Sequence, residues 1–92
     1  MIVKYFATFR DHTRCKEEHF AVGSMTALQL LLHIGEKYGA ALADQLVSED
    51  KSNIHPDVIF LINGRNIDFI DGKNSTVKET DLISLFPRIA GG

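Results

Sequence analysis

The residues best suited to chemistry are the two glycines that end the stretch Leu85 to Gly92. Phe86-Pro87 closes an apolar, strand-like run, and the residues after it have neither a helical nor a strand pattern. We therefore expect residues 87–92 to leave the domain as a flexible tail. Because glycine has no Cβ, a Gly91-Gly92 end can thread a narrow channel with its carboxylate unshielded. That carboxylate becomes a good electrophile only after activation, as in adenylation by ATP.

The chain has no sequence that would bind the ATP. A glycine-rich phosphate loop is missing from the sequence, and this is the motif whose backbone N–H groups usually cradle phosphates. We therefore expect a separate protein to activate the terminus, with ATP as a cofactor of that enzyme and none bound by this chain.

A second group of chemically capable residues is His12, Cys15 and His19, whose spacing could place three ligands on a metal ion. The chain has no second cysteine and no obvious fourth ligand, and His33 and His55 stand at unrelated spacings. We therefore predict no metal site and interpret these residues as polar surface. Cys15 also has no acid or base partner that sequence can assign, so a nucleophilic role is not predicted.

Composition restricts the class of protein. The 92 residues suffice for one domain, and 45% hydrophobic content with mixed charges is typical of a globular protein. A formal charge of -2 without a basic cluster argues against nucleic acid as a partner. The single cysteine fits a reducing compartment, and no signal-peptide or membrane-spanning pattern is present. We expect a cytoplasmic protein with no membrane partner.

Two strands are predicted in the first quarter of the chain. Met1 to Phe9 is rich in β-branched and aromatic residues, and Glu17 to Val22 alternates Glu18, Phe20 and Val22 against the other face. Arg10 to Lys16 is interpreted as a polar connection. The predicted core face of the first strand consists of Val3, Tyr5, Ala7 and Phe9.

The main helix is predicted to begin at a capping box formed by Thr26 and Gln29 and to end at Gly39. Its apolar residues recur at helical spacing, so it should lie across a sheet. Gly35 falls on that apolar face, which we attribute to a close backbone approach to the sheet. Ala40 to Val47 predicts a second, shorter helix.

The second half of the sequence contains the remaining predicted strands. Val58 to Ile62 is a continuous apolar run, Asn63-Gly64 is a strong hairpin signal, and Arg65 to Ile70 should return along the strand. Leu82 to Phe86 is the last strand, with Val77 as a buried anchor before it. The order predicts an α+β domain over residues 1–92, in which the main helix packs across one face of a mixed sheet. This order matches the β-grasp, or ubiquitin-like, fold.

With this layout, the chain resembles the MoaD and ThiS family of ubiquitin-like sulfur carriers, and most closely its MoaD branch, the small subunit of molybdopterin synthase. Tyr5 to Arg10 is similar to that branch's opening F-A-x-x-R motif, and Glu36-Lys37-Tyr38 resembles its helix end. Ile62 to Arg65 is similar to its N-G hairpin. The ending from Phe86-Pro87 to Gly91-Gly92 is the most specific part of the resemblance.

The resemblance implies a mechanism. An E1-like enzyme of the MoeB type would adenylate Gly92, and sulfur from a persulfide would convert it to a thiocarboxylate. In the MoaD branch that sulfur is donated to cyclic pyranopterin monophosphate, within the large synthase subunit of the MoaE type. Gly92 would carry the reactive group and Gly91 would provide clearance. The chain would be a protein co-substrate that is not catalytic alone.

Two segments depart from the family pattern. Family members often have D-G-D before the last strand, whereas this chain has Glu79-Thr80-Asp81, and a threonine would be strained at positive φ. The turn is therefore expected to differ locally. Arg88 also places a cation after Pro87, where it either contacts a partner or is solvated.

A partner surface is predicted beside the tail. Phe6 and Phe86 should project from the same sheet face, which the main helix cannot cover, and together with Pro87, Arg88 and Ile89 they are the predicted partner-binding residues. The alternative is that the second helix or a loop covers both rings. Acidic residues around the central loop are interpreted as a solvated face, although they could instead guide docking onto a basic activating enzyme. These acids are Asp44, Glu49, Asp50 and Asp57.

Other functions remain open at this point. A related carrier could serve thiamine synthesis, tRNA thiolation or protein conjugation, and a β-grasp binding domain could carry an incidental Gly-Gly end. ThiS-type chains are usually shorter, so the interior segment Ala40 to Pro56 favours the MoaD branch or an archaeal ubiquitin-like modifier.

Overall fold

The structure, a computed structural model, describes residues 1–88, and the predictions for Ile89, Gly91, Gly92 and residues 89–92 of the flexible tail lie outside this range. Pro87, predicted as the first tail residue, is the last residue of a strand. Seven strands, three α-helices and two 3₁₀ turns are present in the described residues. The first half contains β1 (Ile2–Tyr5), α1 (Thr8–Thr13), β2 (Glu17–His19), β3 (Met25–Thr26), α2 (Ala27–Tyr38) and α3 (Ala40–Leu46). The second half contains β4 (Val58–Ile62), β5 (Arg65–Asn66), 3₁₀ turns at Ile67–Phe69 and Gly72–Asn74, β6 (Thr76–Val77) and β7 (Leu82–Pro87).

Five of the strands form one mixed sheet in the order β2-β1-β7-β4-β5. β1 runs parallel to β7, with Val3 opposite Ile83, and the other neighbours are antiparallel. β3 and β6 form a separate two-stranded ribbon at the start of α2. The predicted mixed sheet with a helix across one face, the β-grasp, is confirmed.

The core lies between this sheet and α2. Successive strand residues point to opposite faces, so Val3 and Tyr5 of β1 and Ile83 and Leu85 of β7 point to the helix, as does Phe60 of β4. The buried residues of α2 that meet them are Ala27, Leu30, Leu31, Ile34 and Gly35. The predicted anchor Val77 is fully buried.

The prediction of a first strand over Met1 to Phe9 is wrong in its second half. β1 ends at Tyr5, and Ala7 adopts φ 52° and ψ -130°, a backbone conformation that turns the chain out of the sheet. Helix α1 then occupies residues predicted as strand and as polar connection. Phe9 is buried as predicted, but from a helix, whereas Ala7 is exposed.

The strands on either edge are shorter than predicted. β2 stops at His19, although Phe20 is buried, and β5 contains only two residues before the 3₁₀ turn at Ile67–Phe69. The hairpin between β4 and β5 is confirmed. Asn63 has φ 51° and Gly64 has φ 84°, which are the two positive values that this turn requires.

Both predicted helices are confirmed, and so is the capping box. The Gln29 N–H donates to the Thr26 hydroxyl at 3.1 Å, and the Thr26 N–H donates to the Gln29 side-chain oxygen at 2.9 Å. The reason given for Gly35 is wrong: a Cβ there would lie 2.9 Å from the Cβ of Ala43 in α3. Gly35 therefore permits a close helix–helix contact and is not needed for the sheet.

The turn before β7 avoids the expected strain. Among residues 1–88 the only non-glycine residues at positive φ are Ala7, Arg14, Lys51 and Asn63, so Thr80 is not in that region. The Asp81 carboxylate closes the turn instead. It accepts hydrogen bonds from the Lys78 backbone N–H at 2.8 Å and from the Asn63 side-chain amide at 2.9 Å.

Candidate functional site

The tail begins where β7 ends, and its first residues are fixed by the neighbouring strands. The Phe6 N–H donates to the Leu85 carbonyl at 3.2 Å, which continues the parallel pairing beyond β1. On the other side, the Arg88 N–H donates to the Asp57 carbonyl at 2.5 Å. The backbone is therefore held by both neighbouring chain segments up to Arg88, the last described residue.

Phe6 and Phe86 are brought together beside this tail root, as predicted. Their rings stack with centroids 4.2 Å apart and an angle of 9° between planes, and both side chains are half-buried. The Arg10 guanidinium carbon lies 5.7 Å from the Phe6 ring centroid, and Arg10 Nε donates to the Tyr5 carbonyl at 3.1 Å. Because Ala7 turns the chain into α1, the cation of the F-A-x-x-R motif returns to the aromatic pair.

The aromatic pair lies at one end of a larger apolar surface on the side of the sheet that faces away from α2. In register across this side, Ile2 is opposite Leu82 and Ile59 is opposite Phe86. These side chains are half-buried or exposed, with Leu82 36% exposed. We call this surface the outer apolar face, and its apolar residues are Ile2, Phe6, Ile59, Leu61, Leu82 and Phe86. Lys4 and Ser84 lie between them on the same side of the sheet.

The alternative, that the second helix or a loop covers the aromatic pair, does not fit the packing of α3 or the half-buried state of both rings. This helix contacts α2 through Ala43, on the opposite side of the sheet. Phe6 and Phe86 therefore remain half-buried and accessible. Their role in partner binding stays a prediction.

Pro87 and Arg88 contribute to a cavity of about 270 Å³ next to the tail root. Helix α3 and the following loop supply Gln45, His55 and Asp57 to the same cavity. His55 Nδ1 accepts the Asp57 backbone N–H at 3.0 Å and lies 4.0 Å from an Asp57 carboxylate oxygen. Arg88 is exposed, so its side chain can contact a protein docked on this end of the sheet.

A partly buried polar cluster around Glu18 was missed by sequence reasoning. Its carboxylate accepts hydrogen bonds from Tyr5 at 2.5 Å, Tyr38 at 2.8 Å and Lys37 at 2.6 Å. The Cys15 sulfur lies 3.9 Å from the Tyr38 hydroxyl. The signal was available: Glu18 alternates with Phe20 and Val22, which places a carboxylate on the apolar side of β2.

The cluster changes the titration of its members. Burial by itself would raise the pKa of Glu18, but the hydrogen bonds from Lys37, Tyr5 and Tyr38 outweigh it, and the pKa lies below its usual range. Burial and the hydrogen bond to Glu18 raise the pKa of both tyrosines above the ordinary value. Glu18 is therefore ionised and both phenols are neutral at physiological pH. Through its hydrogen bonds, the cluster joins β1 and β2 to α2.

The three residues considered as metal ligands point to different partners. His12 Nε2 lies 2.9 Å from the Gln45 side-chain nitrogen, Cys15 packs near Tyr38, and His19 lies on β2 opposite Ile2. Within residues 1–88, no three His, Cys, Asp or Glu side chains come close enough to hold a metal ion.

The acidic residues around the central loop do not form one site. Asp44, Glu49, Asp50 and Asp57 are exposed, in agreement with a solvated surface. Hydrogen bonds from Ser52 and Ser48 lower the pKa of Asp50 to about 2, which gives this residue a local role in shaping the loop. In the part of the chain that is described, no helix is both long and apolar enough to cross a membrane.

Comparison with known proteins agrees with this architecture. The chain is 30% identical to small archaeal modifier protein 3 of Haloferax volcanii over 90 residues, which is 98% of this chain and 96% of that protein. The solution structure of the Haloferax volcanii HVO 2177 protein matches with a TM-score of 0.82 and 29% identity, covering 99% of this chain and 84% of the other.

A third similarity is to the solution structure of small archaeal modifier protein 1 from Methanosarcina acetivorans. Its TM-score is 0.79 at 26% identity, covering 99% of this chain and 94% of the other. The model of the ThiS family matches residues 3–92. The match thus includes most of β1, the aromatic pair and the Gly-Gly end, and the chain belongs to the ThiS family of ubiquitin-like sulfur carriers and modifiers.

Proposed function

We propose that this protein is a sulfur carrier whose Gly92 carboxylate is adenylated by an E1-like enzyme of the MoeB type and converted to a thiocarboxylate. The thiocarboxylate would donate sulfur for synthesis of molybdopterin, in the active site of a large subunit of the MoaE type. The observation that supports this role best is the aromatic pair Phe6 and Phe86 at the root of the Gly-Gly tail. A partner bound there would receive the tail directly.

The geometry supports a division between docking and chemistry. Stacking, the Arg10 cation and pairing of Phe6 with Leu85 hold the docking surface rigid up to Arg88. Four residues follow Arg88 and can span roughly 13 Å when extended, which is enough to enter a partner's active site. Gly91 and Gly92 would supply passage and the reactive carboxyl, and ATP would be bound only by the activating enzyme.

A second candidate is a protein modifier, in which the activated Gly92 is joined to a lysine of another protein. The similarity to small archaeal modifier protein 3 along 98% of this chain favours it. Both candidates require the same first step, activation of the Gly92 carboxylate. They differ in the acceptor that completes the reaction.

Intact-mass measurement tests the shared step. The full chain is incubated with ATP, a persulfide sulfur source, a thiol reductant and an E1-like enzyme of the MoeB type. The persulfide displaces AMP to give an acyl disulfide, and the thiol then reduces its S–S bond to release the thiocarboxylate. We expect a mass increase equal to replacement of one oxygen by sulfur, and no increase for a variant that lacks Gly91 and Gly92. An unreactive terminus in the full chain would contradict both candidates.

The acceptor is then tested with the thiocarboxylated chain. Addition of the large synthase subunit and cyclic pyranopterin monophosphate should restore the original mass and form a dithiolene product if the chain is a molybdopterin carrier. A modifier would instead give conjugates that survive reducing denaturation and, after trypsin cleavage behind Arg88, carry an Ile-Ala-Gly-Gly remnant on lysine. Conjugates without dithiolene formation would reject the molybdopterin role and support the second candidate.

A further inference from the structure

A second open surface lies on the helix side of the molecule, where α3 crosses α2. A groove enclosing about 440 Å³ runs between the two helices, and its accessible apolar lining includes Leu32, Ala40 and Ala43. Leu31 and Val47 also line it but are almost fully buried. None of the predicted partner-binding residues Phe6, Phe86, Pro87 or Arg88 lines it. The groove and the outer apolar face are therefore separate surfaces.

Small residues explain why the groove exists. Gly35 approaches Ala43 so closely that a Cβ at Gly35 would lie 2.9 Å from the Ala43 Cβ. Gly39 then reverses the chain at φ 97°, and Ala40 begins α3 with an exposed side chain on the groove. With no large side chain along this crossing, the surface stays recessed between the helices. The packing of α2 on α3 creates the depression, and no side chain of either helix fills it.

The charges around the groove are predominantly negative. Glu36 and Asp44 line it, Glu49 lies next to Asp44 in an adjoining depression, and Lys51 is the single cation among the lining residues. In residues 1–88 none of these three acids forms an ion pair. The nearby Lys37 does not neutralise them, because its ammonium group is bound to Glu18 at 2.6 Å.

We propose that this groove is a second docking surface, which binds a basic amphipathic helical segment of a partner protein. An apolar side chain of the segment would enter the recess over Gly35 and Ala43. Lysine or arginine side chains next to it would pair with Glu36 and Asp44, an arrangement that favours cations at the rim and disfavours phosphates and other anions. Because the groove is separate from the outer apolar face, both surfaces can be occupied together. The proposal does not depend on the chemistry of Gly92.

The test uses a defined probe, an amphipathic helical peptide of about 15 residues. Its leucines recur at helical spacing on one face, and lysines flank them. Titration into the isotope-labelled full chain should shift the amide signals of Leu32, Gly35, Ala43 and Val47. A second peptide with glutamate in place of every lysine should bind far more weakly, because its charge matches that of the rim.

Two pairs of variants locate the binding. Ala40→Phe fills the groove mouth and should abolish binding, whereas Ala41→Phe, on an exposed neighbour that does not line the groove, should leave it unchanged. Asp44→Lys should weaken binding about fivefold, and the same change at the remote exposed Asp68 should have little effect. Circular dichroism and amide spectra of each variant verify that it is folded.

Four results would overturn the proposal. The first is a set of shifts that maps to Phe6, Phe86 and their neighbours, which would assign the peptide to the outer apolar face. The second is equal binding of the lysine and glutamate peptides, and the third is equal affinity of Ala40→Phe and Ala41→Phe. Absence of any binding by the lysine peptide at millimolar concentration would reject it as well.

Discussion

The rings of Phe6 and Phe86 stack 4.2 Å apart although they come from opposite ends of the chain. The parallel pairing of β1 with β7 sets this contact, because it places Tyr5 opposite Leu85 and so brings the next residues of the two strands side by side. Phe86 is followed by Pro87 and by Arg88, whose N–H is bound to Asp57. The surface that would choose a partner and the origin of the tail are therefore parts of one rigid unit.

If the large synthase subunit is the partner, as proposed, Phe6→Ala should lower the free energy of binding to it more than the free energy of unfolding. The half-buried ring contributes about 1 kcal/mol to folding through stacking, but a central aromatic residue of an interface typically contributes 2 kcal/mol or more to binding. Calorimetric titration with the large subunit and urea unfolding of the free protein measure the two effects. Phe69, which is 78% exposed in the 3₁₀ turn after β5, provides a matched control as Phe69→Ala. Equal partner affinity of wild type and Phe6→Ala would contradict a docking role for the aromatic pair.

Gly35→Ala should destabilise the protein even though alanine is the better helix former. The added methyl group would lie 2.9 Å from the Cβ of Ala43, and forcing α2 and α3 apart should lower the free energy of unfolding by about 1–2 kcal/mol. The double variant Gly35→Ala with Ala43→Gly should recover much of this loss, since it restores the space. Thermal unfolding compares the three proteins. A stabilised Gly35→Ala would show that the helices separate without cost.

Glu18→Gln should remove part of the acid sensitivity of the fold. The folded-state pKa of Glu18 is lowered, so its ionised form stabilises the protein above about pH 4, the unfolded value, and this stabilisation is lost as pH falls through the folded pKa. We expect the variant to lose about 1–2 kcal/mol near neutral pH, with the difference from wild type shrinking below about pH 4. Urea unfolding across this range measures it, with the exposed neighbour Glu17→Gln as control. A constant difference at all pH values would show that the ionisation of Glu18 is not responsible.

Ala7→Gly should stabilise the protein. Alanine at φ 52° and ψ -130° is in a conformation that costs an L-residue about 1–3 kcal/mol, whereas glycine adopts it readily. The greater chain entropy of unfolded glycine offsets about 0.4–1 kcal/mol, which leaves a net gain of about 1 kcal/mol. Ala21→Gly, at an exposed position without positive φ, should destabilise instead. Chemical denaturation compares both, and a loss of stability in Ala7→Gly would indicate that the backbone there is not strained.

The sequence by itself determined those elements whose signals are local. The capping box at Thr26 and Gln29, the glycine that ends α2, the apolar run of β4 and the Asn63-Gly64 turn each depend on residues a few positions apart. Because backbone hydrogen bonding and turn geometry act over this range, these elements were predicted almost residue by residue. The Gly-Gly end was also evident from the sequence, and so was the placement of Phe6 and Phe86 on one face, since both follow from strand alternation.

Only the tertiary structure decided where distant segments meet. The residues after Tyr5 have strand-forming side chains, yet the chain leaves the sheet at Ala7, and this buries Phe9 in a helix and returns Arg10 to Phe6. The position of Gly35 against Ala43 likewise depends on how two helices pack. The Glu18 cluster joins two strands and a helix, so no local pattern contains all its members. The local preferences of a residue for strand or helix differ by less free energy than core packing and the pairing of a partly buried charge contribute. The assembled core therefore determines these positions.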